Sequence, residues 1–129
     1  MIVRPARAGD EPAIVEIIER CGLGAEGVDY TRWTGLLLVA ERQSQVVGFM
    51  AALPGAPYAV ITHIVIAPEH RKGRAKMKLM ESAELILRHL NCGNWFTHIY
   101  EKDDNLRASA QHWGAHEAPS PGYLYKRVL

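Results

Sequence analysis

The segment that most constrains the fold runs from Tyr58 to Leu90, where a strand pattern changes to a helical pattern across a short basic turn. Residues 58–66 are apolar and rich in β-branched side chains, as in a buried strand, and Pro68 stops that pattern. An apolar stripe at helical spacing then extends from about Gly73 to Leu90. A strand followed at once by a helix favours an α/β fold.

The turn between this strand and helix predicts a phosphate site. Free backbone N–H groups gather where a helix begins, and the helix dipole adds partial positive charge there. Five of the 15 Lys and Arg residues lie in this stretch, namely Arg71, Lys72, Arg74, Lys76 and Lys78. The formal net charge is only +1, which argues against a dedicated nucleic-acid binder. A small anionic ligand is favoured over the alternatives, a solvated basic helix face or a contact with nucleic acid.

The other segments predict a mixed α/β architecture with a mixed sheet. We expect a helix with Asp10 as its N-cap that ends at Gly22 and Gly24, and a hairpin with a tight turn at Gln43 and Ser44. A stretch that is irregular or weakly helical separates them. The expected strands are 1–4, 36–42, 45–53, 58–66, 94–100 and 123–128, with a short helix at 105–113 capped by Asp103 or Asp104 and a loop at 114–122. The 129 residues contain no repeat or linker, so a single domain over 1–129 is expected.

Several classes of protein are disfavoured by the rest of the sequence. No apolar run approaches the length of about 20 residues that a membrane span needs, and Met1 leads straight into a strand rather than a signal peptide. Cys21 and Cys92 lack metal-ligand spacing and are expected to be buried, reduced thiols. The six histidines show no tight spacing either, so no metal is expected. A cytoplasmic protein without a membrane partner is predicted.

The order of elements and the central turn resemble the Gcn5-related N-acetyltransferase (GNAT) family. The residues that carry the resemblance are 65–71, Val-Ile-Ala-Pro-Glu-His-Arg, followed by Gly73 and Ala75. The family signature is Arg or Gln, two residues, Gly, one residue, then Gly or Ala. The resemblance covers nearly the whole chain and implies a GNAT fold.

Two alignments with this signature are open. An alignment that starts at His70 matches the Gly and the Ala but has His in first place. One that starts at Arg71 keeps Pro-Glu-His-Arg in the usual register and places Arg74 and Lys76 where glycines stand. We favour the second, which resembles a variant in small acetyltransferase-like proteins of tailed bacteriophages and some bacteria. The C-terminal Tyr-Leu-Tyr-Lys-Arg-Val-Leu is similar to the last strand of that group.

The resemblance implies acetyl-coenzyme A (acetyl-CoA) as cosubstrate. In the family, backbone amides of this turn bind the pyrophosphate, and the central strand splays from the next strand so that its backbone pairs with the pantetheine arm. Glycine in the turn allows phosphate to approach the backbone closely. Arg74 and Lys76 would instead contact the diphosphate or the 3′-phosphate directly. The implied cosubstrate-binding residues are Ile64, Val65, Ile66, Arg71, Lys72, Gly73, Arg74, Ala75, Lys76 and Asn105.

The same resemblance points to candidates for proton transfer. Thr62 and His63 stand at the positions where the family often has a base; His63 would serve as that base, and a role as a partly buried strand residue is an equal alternative. The family pattern that ends in a thiolate-protonating Tyr aligns with Asn105 and Ala108 and places His112 at the Tyr position. Candidate acids by chemistry are His112, Tyr123 and Tyr125. A thiolate also leaves tolerably without an acid.

The leading hypothesis is an N-acetyltransferase in which an amine of a small molecule or a protein attacks acetyl-CoA directly. Tyr30, Arg32 and Trp33 fall in the segment that borders the acceptor pocket in this family. The alternative is a catalytically inactive GNAT-fold protein that serves as a phage-type structural or host-interaction module, which the absent Tyr and replaced glycines favour. Family members are often dimers, so a homodimer is left open. A phage-encoded protein would act in the host cytoplasm.

Overall fold

The computed structural model describes residues 1–22, 35–98, 104–118 and 123–129. Its strands are β1 (Ile2–Pro5), β2 (Leu36–Arg42), β3 (Gln45–Leu53), β4 (Tyr58–Ile66), β5 (Asn94–His98), β6 (His116–Glu117) and β7 (Tyr123–Arg127). Its helices are α1 (Glu11–Arg20), α2 (Ala75–His89) and α3 (Asp104–His112), and short 3-10 turns lie at Ala8–Asp10 and Pro68–His70. Most of these bounds agree with the predicted ones to within one or two residues.

Two predicted bounds need correction. The segment 114–122 is not wholly a loop, because its residues His116 and Glu117 form β6 against β7. The predicted helix from Gly73 starts at Ala75, since Gly73 still belongs to the turn, where its N–H donates to the carbonyl of His70 at 3.2 Å. The predicted irregular segment from Gly24 lies outside the described residues up to position 34.

The strands form one seven-stranded sheet in the order β1-β2-β3-β4-β5-β7-β6. β4 and β5 pair in parallel, and the other neighbours pair antiparallel, which confirms the predicted mixed sheet. Gln43 and Ser44 have φ angles of 52° and 65°. Positive φ at both central residues is the geometry of a type I′ turn, whose twist matches that of paired strands, so the predicted tight hairpin is confirmed.

Two apolar cores lie on opposite faces of the sheet. The core that contains Leu79 and Leu87 of α2 includes Leu38 and Met50. The smaller core that contains Ile14, Ile17 and Ile18 of α1 includes Val39 and Phe49. Neighbouring residues of β2 and β3 thus point to different helices, because side chains alternate along a strand.

Asp10 has a different role from the predicted one. It occupies the N-cap position of α1, but its carboxylate makes no capping hydrogen bond to that helix. It accepts from both terminal nitrogens of Arg4, at 2.7 and 2.9 Å, and from the backbone N–H of Arg7 at 2.7 Å. Arg4 also donates to Glu41 at 2.9 Å. The hydrogen bond from Arg4 is the main reason that the pKa of Asp10 lies below its ordinary value.

Replacement of Asp10 by Asn should lower the free energy of unfolding at neutral pH by about 2 kcal/mol, because a nearly buried charged hydrogen bond is lost. Its depressed pKa means that the carboxylate contributes stability above an ordinary value of 3.8, and that this contribution disappears as pH falls through the folded-state pKa. In urea titrations, the free energies of unfolding of wild type and Asp10→Asn should therefore become equal in acid. Glu19→Gln, at an exposed position of the same helix, is the control. Equal stabilities of Asp10→Asn and wild type at neutral pH would contradict this role.

Candidate active site

β4 and β5 separate part-way along their length. Their parallel pairing runs from Tyr58 and Asn94 to Ile61 and Thr97, and β4 continues to Ile66. The hydroxyl of Thr97 donates to the carbonyl of Ile61 at 3.1 Å, so a side chain takes this acceptor where the paired stretch ends. Among the described residues, no pair between β4 and β5 follows this point, and Ile64 further along β4 lines a groove.

A β-bulge at Thr62 decides which side chains of β4 face the opening. Ile61 pairs with Ala52 and His63 pairs with Ala51, so Thr62 has no partner of its own on β3. This extra residue reverses the face of the sheet to which each later side chain of β4 points. Ile61 and Ile64 consequently lie on the same face as α2. The ring of His63 lies on the other face, 6.3 Å from that of Phe49 in the core under α1.

A groove of about 530 Å³ opens at this split. Ile61, Ile64 and Thr97 line it from the strands. The turn and α2 contribute Arg71, Gly73, Lys76, Met77 and Met80. The opposite wall consists of Ser109, Ala110, His112 and Trp113, and Trp95 and Lys126 complete the lining. The groove therefore joins the basic turn, the open edge of β4 and the predicted short helix.

The start of α2 has the properties of an anion site. Its N-cap residue is Arg74, which makes no side-chain capping hydrogen bond, and its first turn contains no acidic residue. The N–H groups of a helix start need acceptors, and an arginine side chain has none to offer. An anion at this end would accept from those amides and would gain from the helix dipole.

Contacts to neighbouring elements hold the basic turn in place. Arg71 donates through Nε to the carbonyl of Ile66 at 3.3 Å and approaches the thiol of Cys21 at 3.2 Å. Arg20, at the end of α1, donates to Glu69 at 3.0 Å. Arg20 lowers the pKa of Glu69 to about 2, so this carboxylate stays ionised at neutral pH. The turn is thus tied to the end of β4 and to α1 before any ligand binds.

The predicted cosubstrate residues occupy different positions around this groove. Four of them line it through their side chains or backbone, namely Ile64, Arg71, Gly73 and Lys76. Lys72 and Arg74 are exposed beside the lining. Val65, Ile66 and Ala75 have buried side chains, so only their backbone groups are available to a ligand. The side chain of Asn105 lies outside the described residues.

The predicted proton-transfer residues lie on two faces of the sheet. His112 lines the groove at the end of α3. His63 faces the core under α1, where burial lowers its pKa, so its ring is neutral at pH 7. Tyr123 and Tyr125 alternate on β7 with Leu124, which lies in the core under α2, and both therefore face away from the groove. Tyr125 packs against Phe96 and His116 there.

The sequence matches the acetyltransferase (GNAT) family over residues 11–114. The chain belongs to this family. Membership confirms the predicted fold, the N-acetyltransferase activity and acetyl-CoA as cosubstrate, and the alternative of an inactive module is not favoured. The closer resemblance to phage proteins stays a prediction.

Solved structures of GNAT proteins share this fold at low sequence identity. Ard1 from Thermoplasma volcanium is 14% identical with a TM-score of 0.83, and the match covers 99% of this chain and 97% of that one. PaiA N-acetyltransferase from Thermoplasma acidophilum, solved with coenzyme A, is 15% identical with a TM-score of 0.82 and 98% of each chain covered. Ribosomal-protein-alanine N-acetyltransferase from Brucella melitensis is 20% identical with a TM-score of 0.79, over 98% of this chain and 99% of that one. No curated protein matches the sequence significantly.

Sequence reasoning missed one buried residue behind the lining of the GNAT groove, Glu84. Only 3% of it is exposed, and its carboxylate accepts from Trp95, Trp113 and Lys126. A signal was available, because Glu84 interrupts the apolar stripe of α2 between Met80 and Leu87. A charged residue in such a stripe is rarely buried unless it is paired.

Several predicted features lie beyond what the structure describes. Tyr30, Arg32 and Trp33 are outside the described ranges, as are Asp103 and the side chain of Asp104. Within those ranges there is no group of three or more His, Cys, Asp or Glu that would suit a metal ion. No helix of the described part is long and apolar enough to cross a membrane. Cys21 is half-buried, Cys92 is buried, and both are free.

The pKa of His63 gives the stability of this enzyme a defined pH dependence. Burial lowers that pKa below 6.5, so the unfolded chain takes up the proton first and stability falls as pH falls below about 6.5. In His63→Gln, the loss of unfolding free energy between about pH 7.5 and pH 5.5 should be smaller than in wild type. Denaturant titrations at both values measure it. Exposed His89, replaced by Gln, serves as the control and should leave the wild-type loss intact. An identical loss of unfolding free energy in His63→Gln and wild type would refute the assignment of this pH dependence to His63.

Proposed function

We propose that acetyl-CoA binds in the groove between α2 and α3 and that an acceptor amine attacks its thioester directly at the open edge of β4. One observation carries this proposal. The groove joins the uncapped, basic start of α2 to the stretch of β4 beyond its last described pair with β5. A long ligand with phosphates at one end and an amide-containing arm at the other matches both features.

The phosphates would lie at the turn. The amides at the start of α2 would donate hydrogen bonds to a diphosphate near Gly73, with Arg71 and Lys76 beside it in the groove. A Cβ added to Gly73 would make one ordinary contact, at 3.4 Å from the carbonyl of His70, and would project beyond the bare backbone that glycine offers a phosphate. Exposed Lys72 and Arg74 lie next to these groups and would attract the 3′-phosphate.

The reactive end would lie at the edge of β4. The backbone near Ile64 would pair with the pantetheine arm, and an N–H of this strand would stabilise the oxyanion of the tetrahedral intermediate. His112 lines the groove, so it would protonate the thiolate of coenzyme A as this leaves. His63 is neutral and lies on the opposite face, so it would accept the proton of an amine that approaches from the side of α1. Tyr123, another predicted acid, is exposed on the face away from the groove, so it is a weaker candidate than His112 for protonating the thiolate.

The acceptor is proposed as an amine of a small molecule or a protein. The similar structures include a ribosomal-protein-alanine N-acetyltransferase, which acts on a protein, and they leave both classes open for this chain. We further propose that residues 1–129 act as one domain in the cytoplasm, where free thiols such as Cys21 and Cys92 stay reduced. A homodimer is retained as a prediction on the family resemblance alone.

The phosphate site is tested by two lysines of the same helix. Lys76 lines the groove, whereas Lys78 lies outside the lining, two residues further along α2. Lys76→Ala should weaken the binding of acetyl-CoA about tenfold, because a charged contact to phosphate contributes on the order of 1.4 kcal/mol. Lys78→Ala removes the same charge and should bind like wild type in isothermal titration calorimetry. Equal losses in both variants would indicate non-specific attraction. No binding to wild type at millimolar acetyl-CoA would overturn the proposed function.

The roles of the two histidines are tested by release of coenzyme A thiol with a panel of amines. His63→Gln and His112→Gln should each lower kcat by about 100-fold, because each removes a proton-transfer group, with little change in KM for acetyl-CoA. His116→Gln, at an exposed position on β6, is the matched control and should keep wild-type kcat. A variant that keeps full kcat excludes its histidine from proton transfer.

A further inference from the structure

Glu84 connects α2 to the other elements that enclose the groove. Its Oε2 accepts from the indole N–H of Trp95 on β5 at 3.3 Å. Its Oε1 accepts from the indole N–H of Trp113 after α3 and from the ammonium of Lys126 on β7 at 2.8 Å. All three donors line the groove, and Glu84 itself does not. The carboxylate therefore acts on the groove only through its partners.

The position of Glu84 on α2 explains this arrangement. Lys76, Met77 and Met80 line the groove from one face of the helix. Residues four apart share a face, so Glu84 continues the face of Met80 one turn further from the basic turn, by about 6 Å. Glu84 thus lies past the last groove residue of α2 and beneath the side chains that close that end.

The bonding pattern of Glu84 depends on its being a carboxylate. A buried, ionised carboxylate is costly unless donors and an opposite charge surround it, and here two N–H groups and one ammonium do so. The ammonium of Lys126 also lies 5.2 Å from the centre of the Trp113 ring, so the two side chains hold each other. A glutamine at this position offers one acceptor oxygen in place of two, which leaves at least one donor unsatisfied.

We propose that Glu84 is a positioning residue for acetyl-CoA. By fixing Trp113 and Lys126 relative to α2, it sets the separation of the two groove walls and thereby the fit of the cosubstrate. This inference rests on the function proposed above, because it assumes that acetyl-CoA occupies this groove. A purely structural Glu84 would affect the stability of the protein and leave the affinity of the folded protein unchanged.

Glu84→Gln tests the proposal, with two controls on the same helix. Glu81→Gln makes the same charge change at an exposed position. Leu87→Val lowers stability in the core of α2 outside the groove. Loss of a residue that orients a binding group costs about 10- to 100-fold at metal sites, and Glu84→Gln should weaken the binding of coenzyme A in calorimetry by a similar factor. Both controls should bind like wild type under conditions where all three variants are folded.

Steady-state kinetics give a second readout. For Glu84→Gln, KM for acetyl-CoA should rise while KM for the amine stays at the wild-type value, because the acceptor approaches from the other face of β4. Wild-type affinity and KM in folded Glu84→Gln would overturn the positioning role and leave the proposed function intact. An affinity loss of the same size in Leu87→Val would also overturn it. Failure of wild type to bind coenzyme A would overturn both.

A double variant covers the case in which Glu84→Gln does not fold. Glu84→Met combined with Lys126→Met removes both buried charges, a change that proteins often tolerate without loss of stability. Trp95 and Trp113 then lose their common acceptor, so this variant should bind coenzyme A more weakly than Lys126→Met alone. Equal affinities of the double and single variants would refute the proposal.

Discussion

The end of the parallel pairing between β4 and β5 is the constraint on which the rest of this structure depends. A sheet paired along its whole length would offer a ligand no backbone groups in its interior. Among the described residues, pairing ends at Ile61 and Thr97, and the hydroxyl of Thr97 satisfies the carbonyl of Ile61. The opening leads directly to the start of α2, because β4 continues into the basic turn. One separation of strands thus places a backbone edge and a helix start in the same groove.

The basic turn shows how phosphate recognition is compatible with the departure from the family's glycines. Gly73 is kept in the lining of the groove. Arg74 points to solvent beside the groove, and Lys76 lines it, so neither side chain is buried over the helix start. Two cations next to uncapped amides add attraction for phosphate, and the phosphate does not need to come closer to the backbone for it. The substitutions therefore change how the charge is supplied more than where the anion would bind.

Local patterns predicted much of the fold and about half of the groove. The hairpin at Gln43 and Ser44 and the change from strand to helix after Pro68 are set by neighbouring residues, so they can be read from the sequence. The salt bridge of Asp10 to Arg4 and the bonding of Glu84 were missed, because each depends on partners from other elements. The carboxylate of Asp10 was predicted to be a local helix cap, and that of Glu84 was overlooked. The resemblance to GNAT proteins supplied the ligand, which local patterns alone left as an unidentified anion.

The bulge at Thr62 is the clearest case of a functional feature that periodicity conceals. Strict alternation from Ile61, which faces the groove, would turn His63 toward the groove and Ile64 toward the core under α1. The extra residue reverses this, so Ile64 lines the groove and the His63 ring lies on the other face. In the proposed complex, an apolar residue contacts the cosubstrate arm, while a neutral imidazole is available to the acceptor. In the proposed complex, the bulge therefore determines which reactant each side chain of β4 meets.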